Sequence, residues 1–348
     1  MKLLSEDMIC IGGKLYLFAN NMNLLYTVDT NTGRFSFLGQ IPDKSIFEKR
    51  LISKIILWKD TLYLIPLTCE SLWTYSIVNN SWKRYEIEQY EGNWAHSFFR
   101  NAVVFNDKIF ILGGYYPAIV IFDLLTEEIT YIKEPFMDHH NKNSMDLYFR
   151  GDPIIINKCM YLGSCVDNSY FRFNLESYRF EWIKVGDGNN RYSGILFDND
   201  SLWLSPRRGA SSVVRKKNSG EVVEYSLKAD TFPRNDYYIG IVPEPHGYFI
   251  PAAVNSTGSL KISETGIIEK IDECYSIYKK AGGVIMAQDT EGDISIIDGE
   301  NKKRICSGNI DDMFFLEEMN KIAHWSGGTD IRMVESASLS FINWMAMI

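Results

Sequence analysis

The sequence predicts an all-β chain forming one β-propeller of four-stranded blades, and three observations predict it. A short phrase, a small polar turn followed by alternating apolar and aromatic residues, recurs along the chain at intervals of roughly 36 to 51 residues, the period of propeller blades. The segments between its copies are short runs rich in Val, Ile, Phe and Tyr, which read as strands. Almost no stretch before residue 335 carries helical periodicity.

The phrase reads Gly13-Lys14-Leu15-Tyr16-Leu17, then Asp60-Thr61-Leu62-Tyr63-Leu64, then Asp107-Lys108-Ile109-Phe110-Ile111. It continues as Lys158-Cys159-Met160-Tyr161-Leu162 and Asp200-Ser201-Leu202-Trp203-Leu204. Weaker copies are Gly247-Tyr248-Phe249-Ile250, Gly283-Val284-Ile285-Met286 and Lys321-Ile322-Ala323-His324. The third unit resolves into four strands, 102–105, 108–112, 119–122 and 129–132, with Asn106-Asp107 as a hairpin signal. Between third and fourth strands a polar turn also repeats, as in Asp29-Thr30-Asn31-Thr32-Gly33 and Asn174-Leu175-Glu176-Ser177. Asn, Asp, Ser and Gly suit such turns because they cap their own backbone or tolerate left-handed angles.

Residues 312–334 supply three further strand-like pieces, Met313-Phe314-Phe315-Leu316 first, and Lys2-Leu3-Leu4 can complete them as an outer strand. Closure by N- and C-terminal strands removes the sheet edge and gives eight blades; if the last pieces pack outside the ring, seven remain. Residues 1–335 are thus read as the propeller. Residues 336–348, with Leu339, Phe341, Ile342, Trp344, Met345 and Met347, are read as a short helical tail packed on it or as a docking peptide.

The third unit, Arg100-Asn101-Ala102-Val103-Val104-Phe105-Asn106-Asp107-Lys108-Ile109-Phe110-Ile111-Leu112-Gly113-Gly114, resembles a kelch repeat, with Phe122-Asp123 where that pattern has its aromatic-Asp pair. Only this unit keeps the paired glycines, and Trp82 and Trp182 stand for the final kelch tryptophan. The resemblance implies a kelch-like propeller. Some of these bind partners, and some catalyse reactions at the channel mouth.

Composition narrows the function classes. A hydrophobic content of 46 % with 14 % aromatics excludes a disordered chain. A net charge of −8 favours neither a nucleic acid nor an anionic membrane as partner. The opening Met1-Lys2-Leu3-Leu4-Ser5-Glu6-Asp7 lacks the apolar stretch of a signal peptide, and the six cysteines form no Cys-x-x-Cys pair, so a cytoplasmic protein with reduced thiols is expected. A monomer is expected, and no cofactor. Asp138-His139-His140 with Asp146 is not read as a metal site, because adjacent histidines point apart along the backbone.

Candidate binding residues come from a second recurrence. Arg50, Arg100, Arg150 and Arg191 each precede a repeat's central apolar position by about nine to twelve residues, where rotation of the repeat gathers them at one channel mouth. A ring of planar guanidiniums suits a carboxylate or phosphate. Arg207, Tyr116 and Tyr192 are placed at the same mouth. His96, with a side chain that titrates near neutrality, and Tyr115 are the candidates for moving a proton. Two functions follow: a binding scaffold for a protein or a small anionic ligand, or a lyase, hydrolase or mutarotase acting on a carboxylated sugar or peptide.

Overall fold

A computed structural model of the chain describes residues 2–89, 98–137, 147–186, 188–207, 212–227, 238–254, 256–281, 284–299, 301–311, 313–315 and 317–318. These residues form seven sheets in sequence order, each with four up-and-down antiparallel strands, the seventh gaining a fifth short strand that pairs in parallel. The innermost strands are Ser5–Ile11, Ile52–Trp58, Asn101–Phe105, Ile154–Ile156, Tyr192–Asp198, Val242–Glu244 and Cys274–Ala281. They define blades 1 to 7.

The recurring phrase is the second strand of each blade. A strand between two neighbouring blades is buried on both faces, so it is apolar throughout, and its residues alternate between the two interfaces. Leu15 and Leu17 face blade 7, while Tyr16 and Phe18 face blade 2. Leu62 and Leu64 face blade 1, while Tyr63 and Ile65 face blade 3. Ile109 and Ile111 then face blade 2, and Phe110 and Leu112 face blade 4. The polar turn before the phrase is a two-residue hairpin loop. Gly12-Gly13, Asn106-Asp107 and Asn157-Lys158 all have positive φ at both positions, the geometry that matches the twist of paired strands. At the far end of the third strand Asp29, Asp123 and Asn174 each accept nearby backbone N–H groups through Oδ1, which closes the next turn, and Asp289 does the same at the end of the second strand of blade 7.

Each hydrophobic cluster is one interface between neighbouring blades. The smallest, between blades 6 and 7, has only Phe249, Tyr275 and Ala287 as buried members. There the backbone compensates: Ala252–Ala253 leaves blade 6 and pairs in parallel with Cys274 and Tyr275 of blade 7.

Seven blades, not eight, make the ring. Blade 7 owns all four of its strands, ending with Ile294–Asp298 and Asn301–Cys306. The expected outer strand at Lys2-Leu3-Leu4 is therefore not needed: Leu3 is buried, and Lys2 joins no strand, its strand-like pairing being an isolated bridge to Asn309. Met313, Phe314 and Phe315, expected as strand, are helical, and Phe315 packs edge-on against Phe37 of blade 1. A four-residue apolar run has too few residues to distinguish the two periods. Lys321-Ile322-Ala323-His324 and the tail at 336–348 lie outside the described residues.

Closure is made by side chains. Gln288 of blade 7, 1 % exposed, donates from Nε2 to the Leu3 carbonyl (3.0 Å) and the Gly292 carbonyl (3.2 Å). Its Oε1 accepts from the Ser5 amide (2.8 Å) and the Ser276 hydroxyl (3.0 Å). Leucine at this position leaves several buried backbone groups without partners. Gln288→Leu is expected to lower unfolding free energy by about 2–4 kcal/mol, seen as a lower urea midpoint. A midpoint within error of the parent would show that the Gln288 bridge contributes nothing to closure.

A charge-lined cavity in the propeller channel

A cavity opens among the starts of the innermost strands. Its volume is about 70 Å³. Four of these strands carry a bulge near their start, at Ser5/Met8, Ile52/Lys54, Tyr192/Gly194 and Tyr275/Ile277. A bulge breaks the alternation of faces and re-aims side chains. It brings Glu6, Asp7, Ser53 and Ser276 to the cavity. Arg100, Arg150, Asp152 and Ile239 arrive from the segments just before the innermost strands of blades 3, 4 and 6. Gly151 lets that approach happen: a Cβ there would stand 2.2 Å from the Ser193 carbonyl oxygen of blade 5.

Six of the seven charged residues lining the cavity are paired across blades. Arg100 donates from Nη1 to Glu6 Oε2 at 3.0 Å, and Glu6 Oε1 accepts from Asn20 Nδ2 at 3.3 Å. Lys279 donates to Asp7 Oδ1 at 2.9 Å, while Asp7 Oδ2 takes the Ile55 amide at 3.0 Å. Lys54 of blade 2 reaches past blade 3 to pair with Asp152. Arg150 is the seventh. It has no carboxylate partner among the described residues, and its buried Nε has no hydrogen-bond acceptor.

The protonation states follow from this arrangement. Burial pushes Glu6 up, but Arg100, Arg150 and Arg50 outweigh it and hold the carboxyl below its usual range. Asp152 is likewise lowered, burial being overcome by Lys54 and Lys279. Lys54 is raised, because Asp152 and Asp7 overcome its burial. Arg150 is lowered to about 10, by burial first and then by repulsion from Arg100, with Glu6 opposing. Burial, followed by the charge of Glu244, raises the Tyr278 phenol.

The expected arginines divide. Arg100 and Arg150 line the cavity, and Arg207, 5 % exposed, lies close enough for its charge to act on both. Arg50 is exposed, yet its charge acts on Glu6 and Arg100. Arg191 is exposed, and its carbonyl accepts from the Arg207 amide at 2.8 Å. Tyr116 and Tyr192 belong to the core instead. Tyr116 donates its hydroxyl to the Glu88 carbonyl (2.8 Å), and Tyr192, fully buried, donates to the Val185 carbonyl (2.5 Å). Tyr115 is half-buried and does not line the cavity. His96, Arg208, His139 and His140 lie outside the described residues. Glu6, Asp7, Lys54 and Lys279 were missed from the sequence. Their signal is a charge set inside an otherwise apolar innermost strand, as in Ile52-Ser53-Lys54-Ile55-Ile56.

Two expectations follow. Arg100→Met strands Glu6 and should cost about 3 kcal/mol, whereas Arg150→Met strands no carboxylate and should leave stability unchanged or raise it by about 1 kcal/mol. Chemical denaturation of the two variants checks this; equal losses would mean that Arg150 is an ordinary structural arginine. Glu6 and Asp152 have folded pKa values below their unfolded ones, so their stabilisation is complete above about pH 4.5 and is lost as pH falls through the folded values. Urea midpoints should therefore drop in acid, and less steeply in Glu6→Gln than in the parent.

No protein-family model matches the chain, and no curated protein sequence matches it. Solved structures do. A catalytically inactive histidine-to-alanine variant of virginiamycin B lyase from Staphylococcus aureus, with quinupristin, matches at 13 % identity and a TM-score of 0.61, over 85 % of this chain and 97 % of that one. A streptogramin B lyase matches at 12 % and 0.58, over 85 % and 90 %. A chain of a mitotic checkpoint complex matches at 9 % and 0.56, over 85 % and 95 %. Identities this low show the fold alone. The neighbours are lyase-like propellers and not specifically kelch proteins, so the resemblance drawn from the third unit reduces to the coarser statement: this chain is a seven-bladed β-propeller.

Proposed function

We propose that the protein is a binding module that holds a small anionic ligand at the charged end of its channel. Arg150 carries this reading. It is a desolvated guanidinium left over when every other charge lining the cavity is paired, and a group kept at that cost is accounted for by an anion that pairs with it. Arg100 and Arg207 add to the field, and Arg50 and Arg191 stand in the surrounding loops. The cavity's size favours a small molecule over a protein segment as its occupant.

The cavity's protonation states favour binding over acid–base chemistry. Glu6 and Asp152 are driven down, and Lys54 and Tyr278 up, so these groups move away from neutrality, where a proton-transfer catalyst works best. The lyase reading has one observation in its favour, the lyases among the structural neighbours. It needs a base such as His96, since His246, the one histidine among the described residues, sits exposed on a hairpin turn of blade 6.

Thermal unfolding in phosphate, sulfate and acetate, against a chloride-free zwitterionic buffer, tests the binding reading. A ligand at 100 times its Kd should stabilise the parent by about 2.7 kcal/mol and Arg150→Met by nothing. Equal shifts in both proteins would exclude Arg150 as the anchor. Release of product from a carboxylated substrate, lost in His96→Ala, would replace the binding reading with the enzymatic one.

A further inference from the structure

Given the anion reading of Arg150, the ligand's class follows from which repeat positions face the cavity. One backbone hydrogen bond recurs through the first five blades and fixes those positions. The amides of Asn20, Leu67, Tyr116, Cys165 and Arg207 donate to the carbonyls of Leu4, Leu51, Phe98, Tyr148 and Arg191, at 2.5 to 3.2 Å. Two residues beyond these carbonyls stand Glu6, Ser53, Arg100, Arg150 and Ser193. Arg100 and Arg150 are therefore one position of the repeat, carried by neighbouring blades. Arg50 and Arg191 miss this register, and neither lines the cavity.

This pair of guanidiniums shares one acid of the lining. Lys54 and Lys279 take Asp152 and Asp7, which leaves Glu6 to face the arginines, and Glu6 is bonded to Arg100. After the cost of burial, Arg150 is repelled by Arg100 and Arg207 and attracted by Glu6. Arg50 adds its charge at Glu6 and Arg100. A ligand with two negative charges gains at each of these guanidiniums. Ser53 and Ser276 also line the cavity, but their hydroxyls are engaged by the Ile65 carbonyl (3.3 Å) and by Gln288 (3.0 Å), so recognition falls to charge.

Shape separates the doubly charged candidates. Two forks on neighbouring blades approach a ligand from two directions. A planar carboxylate has one pair of oxygens and fills one fork, whereas a tetrahedral phosphoryl group presents a pair to each. We propose that the site takes a doubly charged tetrahedral oxyanion, a phosphate or phosphate monoester, with its oxygens divided between Arg100 and Arg150.

Isothermal titration of the whole chain with sulfate, phosphate, glycerol phosphate, nitrate and acetate tests the proposal. Sulfate should bind about tenfold tighter than nitrate or acetate. Glycerol phosphate should bind about tenfold tighter at about pH 8 than at about pH 5, on either side of its second pKa of about 6. Sulfate, doubly charged at both, should hold within about twofold. Glu6→Gln should raise sulfate affinity about tenfold, because no carboxylate then competes for Arg100. Arg150→Gln should erase the preference for sulfate over nitrate. Phosphate binding without glycerol phosphate upholds the proposal with the free ion as ligand, and equal binding upholds it with the ester. Sulfate and nitrate binding alike, or a sulfate affinity unchanged in Glu6→Gln, overturns the proposal and leaves the anion reading standing. Absence of binding by every anion overturns both.

Discussion

The ion pair between Lys54 and Asp152 joins two blades that are not neighbours in the ring. It ties blade 2 to blade 4, while Lys279 and Asp7 tie blade 7 to blade 1, and the Ile55 amide brings blade 2 into the same network. Seven sheets arranged around an axis leave a space too wide for their innermost strands to fill. Filling it with hydrocarbon would require side chains all pointing inward, which the alternation of a strand forbids. Bulges release that constraint locally, and two of the residues they turn into the cavity, Glu6 and Asp7, are charged and paired with cations of other blades. The network is neutral in itself, so it acts as a plug, and it sets the floor on which the remaining arginines stand.

Above that floor the balance is deliberately uneven. Glu6 pairs with Arg100 and lowers the repulsion that Arg100 exerts on Arg150. Without Glu6 the guanidiniums of blades 3 and 4 would face each other uncompensated in a poorly solvated space. With a second carboxylate the cavity would be satisfied and have no use for a ligand. The lone acid thus permits close approach of two cations while leaving one of them under-neutralised. The proposed binding site is thus a local shortage of negative charge.

Much of the fold could be read from residues. The apolar second strands repeat because each serves two interfaces, and even the weak copies at Tyr248 and Val284 mark real strands. Blade number was misjudged because a short apolar run, Met313 to Leu316, looks the same as strand or helix when neighbours decide its period. Arg100 and Arg150 could be found from spacing alone, since rotation carries one position in the repeat to one place at the mouth. Their carboxylate partners could not. Glu6 and Arg100 are 94 residues apart, and Lys54 and Asp152 are 98 apart, so only closure of the ring makes them neighbours. Tyr192 adjoins Arg191 and Tyr116 follows the second strand of its blade, but both rings are buried in interfaces between blades and not in the channel.

The seam beside Gln288 shares no strand between its two sides. Every blade is one unbroken stretch of chain, so most gaps between blades are alike in kind: a loop on the outside and side-chain packing within. In such a ring the position of the chain ends is a property of the cut and not of the architecture, and a permuted chain that opens between blades 1 and 2 retains every sheet. The gap between blades 6 and 7 differs. There Ala252–Ala253 is hydrogen-bonded into the neighbouring sheet, so parting these two blades breaks backbone pairing as well as side-chain packing.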